Sequence, residues 1–264
     1  MPIVLSSPHS GTHYEPGLLA QMCVSRSDLR PLEDGPVDLL LQPARRTGTC
    51  LVAAKFPRAF VDLNRAPDEI DRSLIHDWPE TEKTLPTNRA RAGLGIVPTH
   101  IGTRPIYPQP LTRAEIERRR DRAHTPYHRA LETALRYTRE MFGNAVLIDC
   151  HSMPEAATAP NGSLADISLG DRHGKSCSAW LVDLVEKECR RMGYTVSRNR
   201  PYSGGYITER YGKPVTGHHA IQLEIRRSLF MDEQTHRPNS NFKRVQNHLH
   251  RLVAVTATNS KILA

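Results

Sequence analysis

The chain has 264 residues, 38% of them hydrophobic and 24% charged, with 36 Lys and Arg against 28 Asp and Glu for a formal charge of +8. This is the composition of a folded globular protein, not of a disordered or fibrous one, and the length suits one large α/β domain or two small ones. No apolar run approaches the roughly 20 residues that a helix needs to cross a bilayer, and no secretory signal opens the chain, so the expected location is cytoplasmic.

In chain order, Pro2 to Ser6 reads as a buried strand ending in a loop at Ser7-Pro8-His9. Leu51 to Ala54 and Phe60 to Leu63 read as further strands, with Pro57 between them. From Asp68 to Arg104 periodicity is lost and polar, Pro and Gly content rises, which predicts a long functional loop or flap. The capping-box pattern Thr112-x-x-Glu115 opens a helix that is expected to kink near Pro126 and resume from Tyr127 to Phe142, with Gly143 as its stop. Ala145 to Asp149 reads as an apolar strand running into Cys150-His151-Ser152, and Ala165 to Leu169 as a short one. Ser176 to Met192 has helical spacing closed by Gly193, Tyr194 to Ser197 and Ala220 to Ile225 read as strands, and a last helix runs from about Asn241 to Val255. Strands alternating with helices, with no repeat or linker, predict a single α/β domain over residues 1–264: a mostly parallel sheet with helices on both faces.

The positive charge raises the question of a nucleic-acid partner, but its placement argues against one. Arg113, Arg118, Arg119, Arg120, Arg122, Arg129, Arg136 and Arg139 alternate with Glu115, Glu117, Asp121 and Glu132, the pattern of a solvated helical face with local ion pairs. No aromatic stacking pattern accompanies it. The five cysteines, Cys23, Cys50, Cys150, Cys177 and Cys189, are odd in number and lack CxxC spacing, which argues against a disulfide framework or a cysteine zinc knot.

In open α/β sheets ligands gather at the carboxyl ends of the strands, so polar residues there carry weight. His9 follows the first strand, His151 follows Leu147-Ile148-Asp149, and Glu224 sits in Gln222-Leu223-Glu224-Ile225, where an unpaired carboxylate is costly to bury. Asp62-Leu63-Asn64-Arg65 is a fourth such place. Two histidines and a carboxylate on one zinc, with a separate glutamate for the proton of the attacking water, form a common hydrolytic assembly. Each residue also has a plain structural reading as a hydrogen-bonded loop or turn residue, and Asp149 reads either as an orienting partner of His151 or as a turn cap. The other histidines, His124 and His128 included, read mainly as surface or packing residues, with His218 and His219 left ambiguous.

Five ordered segments, Ser7 to Gly11, Phe60 to Arg65, Asp149 to Met153, Asn199 to Thr208 and His219 to Glu224, resemble the successive motifs of the N-formylglutamate amidohydrolase family. That family is similar in fold to zinc carboxypeptidases and aspartoacylases. The resemblance implies zinc-dependent hydrolysis of N-formyl-L-glutamate to glutamate and formate, as in histidine degradation. It implies His9 and His151 as zinc ligands, Glu224 as general base, and Asn64 and Arg65 as a grip on a substrate carboxylate. Zinc carboxypeptidases carry a glutamate three residues after the first histidine; here that position is Thr12, and Asp34 is chosen as third ligand by its match to the family's acidic segment. Arg58 is the candidate partner of the oxyanion, Arg200 a second planar donor to a dianionic substrate, and Gly204-Gly205 a place of close backbone approach. The expected partner is a small anionic substrate, with no nucleic acid and no membrane. A zinc amidase or carboxypeptidase-like hydrolase of another N-acylated or small peptide substrate is the alternative.

Overall fold

The structure is a computed structural model that describes residues 1–155 and 165–260. The chain gathers into two compact units, each assembled from separated segments. The first comprises Met1–Ser7, Asp34–Val52 and the described part of Ala130–Ala264; the second comprises Pro8–Glu33 and Ala53–Arg129. No helix among the described residues is long and apolar enough to cross a membrane.

The first unit is built on a six-stranded sheet of β1 (Ile3–Ser7), β2 (Cys50–Ala53), β3 (Ala145–Met153), β4 (Ile167–Gly170), β5 (Val196–Arg198) and β6 (His218–Arg226), in the order β2-β1-β3-β6-β4-β5. β1 runs parallel to β3, β3 to β6 and β4 to β5, while β4 and β6 are antiparallel, so the expected mostly parallel mixed sheet is present. Side chains alternate between the two faces of a strand, and the registers align these alternations across neighbours. Ile3, Leu5, Ile148, Cys150, Ile221, Leu223 and Ile225 share one apolar face. Against it pack α1 (Val37–Arg45), α3 (Ala179–Arg191) and α5 (Phe242–Asn259); α2 denotes the long helix Thr125–Phe142, and α4, Tyr206–Tyr211, packs on β3 and β6. Val37, Leu40, Leu41 and Ala44 supply the stripe on α1, spaced as one face of a helix requires. Val37, Leu40 and Leu41 each contribute about 1.5–3 kcal/mol when fully buried, and the Ala44 methyl about 0.8 kcal/mol. The opposite sheet face carries Ser6, Asp149, His151, Ser168, Gln222 and Glu224.

Gly35 admits the chain to α1. Its φ of +68° is left-handed, and a Cβ there would lie 2.5 Å from the Met231 sulfur, so glycine is required to bring Asp34 to the end of β3.

The second unit has little regular structure. It holds a short hairpin of His100–Ile101 with Arg104–Pro105 and a helix at Arg113–Arg119, opened by the Thr112 side chain accepting the Glu115 N–H as the capping box predicts. The helix then widens to a π turn at Arg120–His124 before α2 begins. The expected kink is thus a π turn just ahead of Pro126, where the missing N–H would leave the Arg122 carbonyl without a helical partner.

Two expectations are corrected in this unit. Phe60 to Leu63 is not a strand: the Asp62 N–H donates to the Ile96 carbonyl, and the Asp62 carboxylate accepts the Asn64 N–H, folding the segment into a buried turn. Arg119 does not belong to a solvated face, being fully buried and donating to Glu115, Tyr107, Gln21 and the Phe60 carbonyl. Its neighbours Arg118 and Arg122 are exposed and ion-paired, as expected.

Candidate active site

In the first unit the polar sheet face concentrates ionisable groups. His151 and Glu224 are register partners on adjacent parallel strands, so their side chains emerge side by side; both are buried. The His151 ring lies between two carboxylates: Nε2 is 2.9 Å from Asp149 Oδ2, and Nδ1 is 2.9 Å from Asp34 Oδ2. Asp149 is steadied by the Ser6 hydroxyl, which donates to its other oxygen at 2.6 Å. Asp34 is anchored through its carbonyl, which accepts from the Ser152 hydroxyl at 2.8 Å. Burial alone would push the imidazole pKa down, but Asp149, Asp34 and Glu224 outweigh it and hold His151 well above its ordinary value. A face that packs three carboxylates around one imidazole calls for positive charge. Arg227 supplies some, donating to Ser152 Oγ at 3.0 Å and lying 3.9 Å from Asp34.

Cys150 is adjacent to His151 in sequence but projects from the apolar face with Leu223, and burial pushes its thiol well above the ordinary range. A cysteine–histidine nucleophile is thereby excluded at this position.

In the second unit His9 is held in the same manner. Its Nε2 lies 2.7 Å from Asp62 Oδ1, and Arg58 Nε donates to Asp62 Oδ2 at 2.8 Å. Burial would raise the Asp62 pKa, yet Arg58, Arg65 and His9 keep it well below the usual carboxylate range. Arg65 is buried too, its Nε donating to the Leu94 carbonyl and Nη1 to the Asn64 carbonyl, and burial lowers its pKa. Asn64 is buried beside it. His124 and His128 are buried, not at the surface, with their Nε2 atoms 2.9 Å from the Arg65 and Leu63 carbonyls, bracketing Asn64.

Arg200 is exposed on the loop after β5, where its carbonyl accepts from the Ser168 and Ser197 hydroxyls. The structure therefore fixes its backbone. Gly204 has φ +119°, and a Cβ there would meet the Thr208 hydroxyl at 2.6 Å; Gly205 precedes α4 as its N-cap. A Cβ on Gly170 would come within 2.6 Å of the Gly204 nitrogen, so this loop lies directly over the end of β4.

Asp34 and His151 in the first unit and His9 in the second are each buried, and each carries a donor atom of the kind that binds divalent cations. Imidazole and carboxylate donors suit a divalent cation of zinc type; Nε2 of His9 is engaged by the buried Asp62 and Nε2 of His151 by the buried Asp149, the arrangement that orients metal-ligating imidazoles, while Nδ1 of His151 faces Asp34.

A sequence model of the N-formylglutamate amidohydrolase family (FGase) matches residues 1–231. The chain belongs to this family. The N-formylglutamate deformylases of Pseudomonas aeruginosa and Pseudomonas putida are 33% and 32% identical to it, covering 89% and 88% of this chain and 84% and 83% of their own length. The crystal structure of N-formylglutamate amidohydrolase from Ralstonia eutropha JMP134 is similar with a TM-score of 0.91 at 38% identity, over 99% of this chain and 94% of that one. A gene product of Agrobacterium tumefaciens with a TM-score of 0.68 and 19% identity shares the fold. As a member of the N-formylglutamate amidohydrolase family the chain is a hydrolase acting on an amide.

The residues that sequence reasoning left without a role are Asp62, Arg227, His124, His128 and Gln222. Asp62 had a visible signal, an acid closing an apolar segment. The two histidines, four apart, share one helix face, but only the fold shows what that face meets.

Proposed function

We propose that the protein hydrolyses the formyl amide of N-formyl-L-glutamate, or of a closely related N-acyl acidic amino acid, to the free amino acid and formate. The observation that carries this reading is the register pairing of Glu224 with His151, which sets a buried carboxylate beside a histidine–aspartate cluster suited to a cation. His9, Asp34 and His151 would hold zinc, which when bound supplies a Lewis acid and a more acidic water. Glu224 accepts the proton of the attacking water and returns it to the nitrogen that leaves. Arg58, whose Nε is committed to Asp62, offers its terminal nitrogens to the developing oxyanion. Asn64, Arg65 and Arg200 would engage the substrate carboxylates, and the Gly204-Gly205 backbone would lie against the substrate. A small dianion, with no nucleic-acid partner, belongs to the same proposal.

The test is formate release from N-formyl-L-glutamate by zinc-replete protein, alongside a panel of N-acyl acidic amino acids; no turnover of any of them would refute the reading. A second expectation concerns the two orienting aspartates. Asp149→Asn and Asp62→Asn each replace a carboxylate that fixes a ligand ring, and each is expected to weaken zinc binding by about 10–100-fold in competition with a chromophoric chelator. Unchanged affinity in both variants would show that they only support the fold.

A further inference from the structure

Gln222 stands two residues before Glu224 on β6, so both side chains project from the polar face, and Gln222 is 4% exposed. Its register partners are Asp149 on β3 and Gly170 on β4, the latter covered by the Ser203-Gly204 backbone. The Gln222 Nε2 donates to Glu224 Oε1 at 2.7 Å. Between an amide and a carboxylate that bond has one polarity, and it fixes which end of the amide carries the oxygen. Oε1 is therefore an acceptor, buried, and no donor among the described residues reaches it. A buried acceptor without a donor is costly and rare, and when it sits beside a catalytic base its missing donor is sensibly sought on the substrate.

We propose that Gln222 Oε1 receives the N–H of the scissile amide, making Gln222 a catalytic residue that selects amides. This rests on the reading of Glu224 as the base in formyl-amide hydrolysis. The nitrogen that collects the proton from Glu224 must lie within reach of that carboxylate, and Oε1 belongs to the amide group bonded to it. With its hydrogen held by Oε1, the nitrogen directs its lone pair toward Glu224 as the carbon becomes tetrahedral. Water loses a proton to Glu224 as its oxygen bonds to the formyl carbon. The nitrogen lone pair then takes the proton back from Glu224, the carbon–nitrogen bond breaks with its electron pair staying on nitrogen, and the formic acid and amine released exchange a proton to give formate and the ammonium form of the amino acid. Throughout, Nε2 keeps Glu224 aimed.

The test compares N-formylglutamate with the formate ester of 2-hydroxyglutarate, which lacks the N–H. In Gln222→Met, of similar size but without an acceptor of comparable strength, kcat/KM for the amide is expected to fall about tenfold to a hundredfold further than for the ester. In Gln222→Glu, where the new carboxyl shares a proton with Glu224 and still presents an acceptor, the amide-to-ester ratio is expected to stay within about threefold of the parent's, well inside the tenfold step that one hydrogen bond is worth. Equal losses on both substrates in Gln222→Met would overturn the inference and leave Gln222 as a support for Glu224 alone. Wild-type protein needs no folding control: N-methyl-N-formylglutamate is expected to react at least about tenfold more slowly than the parent amide, and equal rates would also overturn the inference. A wild type inactive on both amide and ester would instead refute the proposed function, a distinguishable failure that takes this inference with it.

Discussion

Glu224→Gln is expected to lower kcat for formate release by roughly 10²–10⁴-fold, the usual contribution of a positioned acid–base group. The substitution is conservative in the sense that matters for the fold. The replacement amide keeps an oxygen where Gln222 Nε2 now donates at 2.7 Å, and it fills the same buried volume between His151 on β3 and Ser168 on β4. What it loses is the ability to take a proton. Zinc content, measured by atomic absorption on the same samples, is expected to match the wild type, because Glu224 is not among the residues proposed above to hold the ion. A variant that keeps its rate would remove Glu224 from the chemistry.

Metal removal is expected to have an effect of similar size. Dialysis against a strong chelator should reduce turnover to background, and added zinc should restore it. The fold should survive the treatment, because β1, β3, β4 and β6 are secured on the opposite face by α1, α3 and α5 through apolar contacts that involve no ligand. Circular dichroism before and after chelation is therefore expected to coincide. Thermal unfolding should still move, since zinc at about 100 times its Kd adds about 2.7 kcal/mol to stability through mass action. Full activity after exhaustive chelation, with metal analysis showing none bound, would rule out the metal reading.

Most of the sheet was legible because central strands read as short apolar runs, as Val4-Leu5 and Val146-Leu147-Ile148 do, or as strict alternation, as Ile221, Leu223 and Ile225 do with Gln222 and Glu224 between them. Helix ends were legible where a local rule governs them, at Thr112 and at Gly143 with its φ of +81°. α1 went unread because Pro43 interrupts a short helix, although its stripe of Val37, Leu40, Leu41 and Ala44 was present. Phe60 to Leu63 was misread because burial without alternation has the same composition in a strand and in a packed turn, and only the Asp62 carboxylate, bonded two residues on, separates them. Arg119 failed for the converse reason: helical spacing places it among solvated arginines, while Tyr107 and the Phe60 carbonyl, distant in sequence, draw it inward. In the site, the ionisable residues that end strands were visible one by one. Their pairings were not, because Ser6 with Asp149 and Asp34 with His151 join positions 143 and 117 residues apart.

The strand order has a consequence for how the protein comes into being. β6 is the last strand made, yet it lies in the middle of the sheet, between β3 and β4. Until residue 226 has left the ribosome, β2-β1-β3 and β4-β5 are two fragments with no strand to join them, each exposing an edge that β6 will later occupy. Such long-range parallel pairing is slow, because the loop must close before any contact repays it. Glu224 rides on that closing strand. With Glu224 as the proposed base, a nascent chain is expected to be inactive until the same event that seals the sheet.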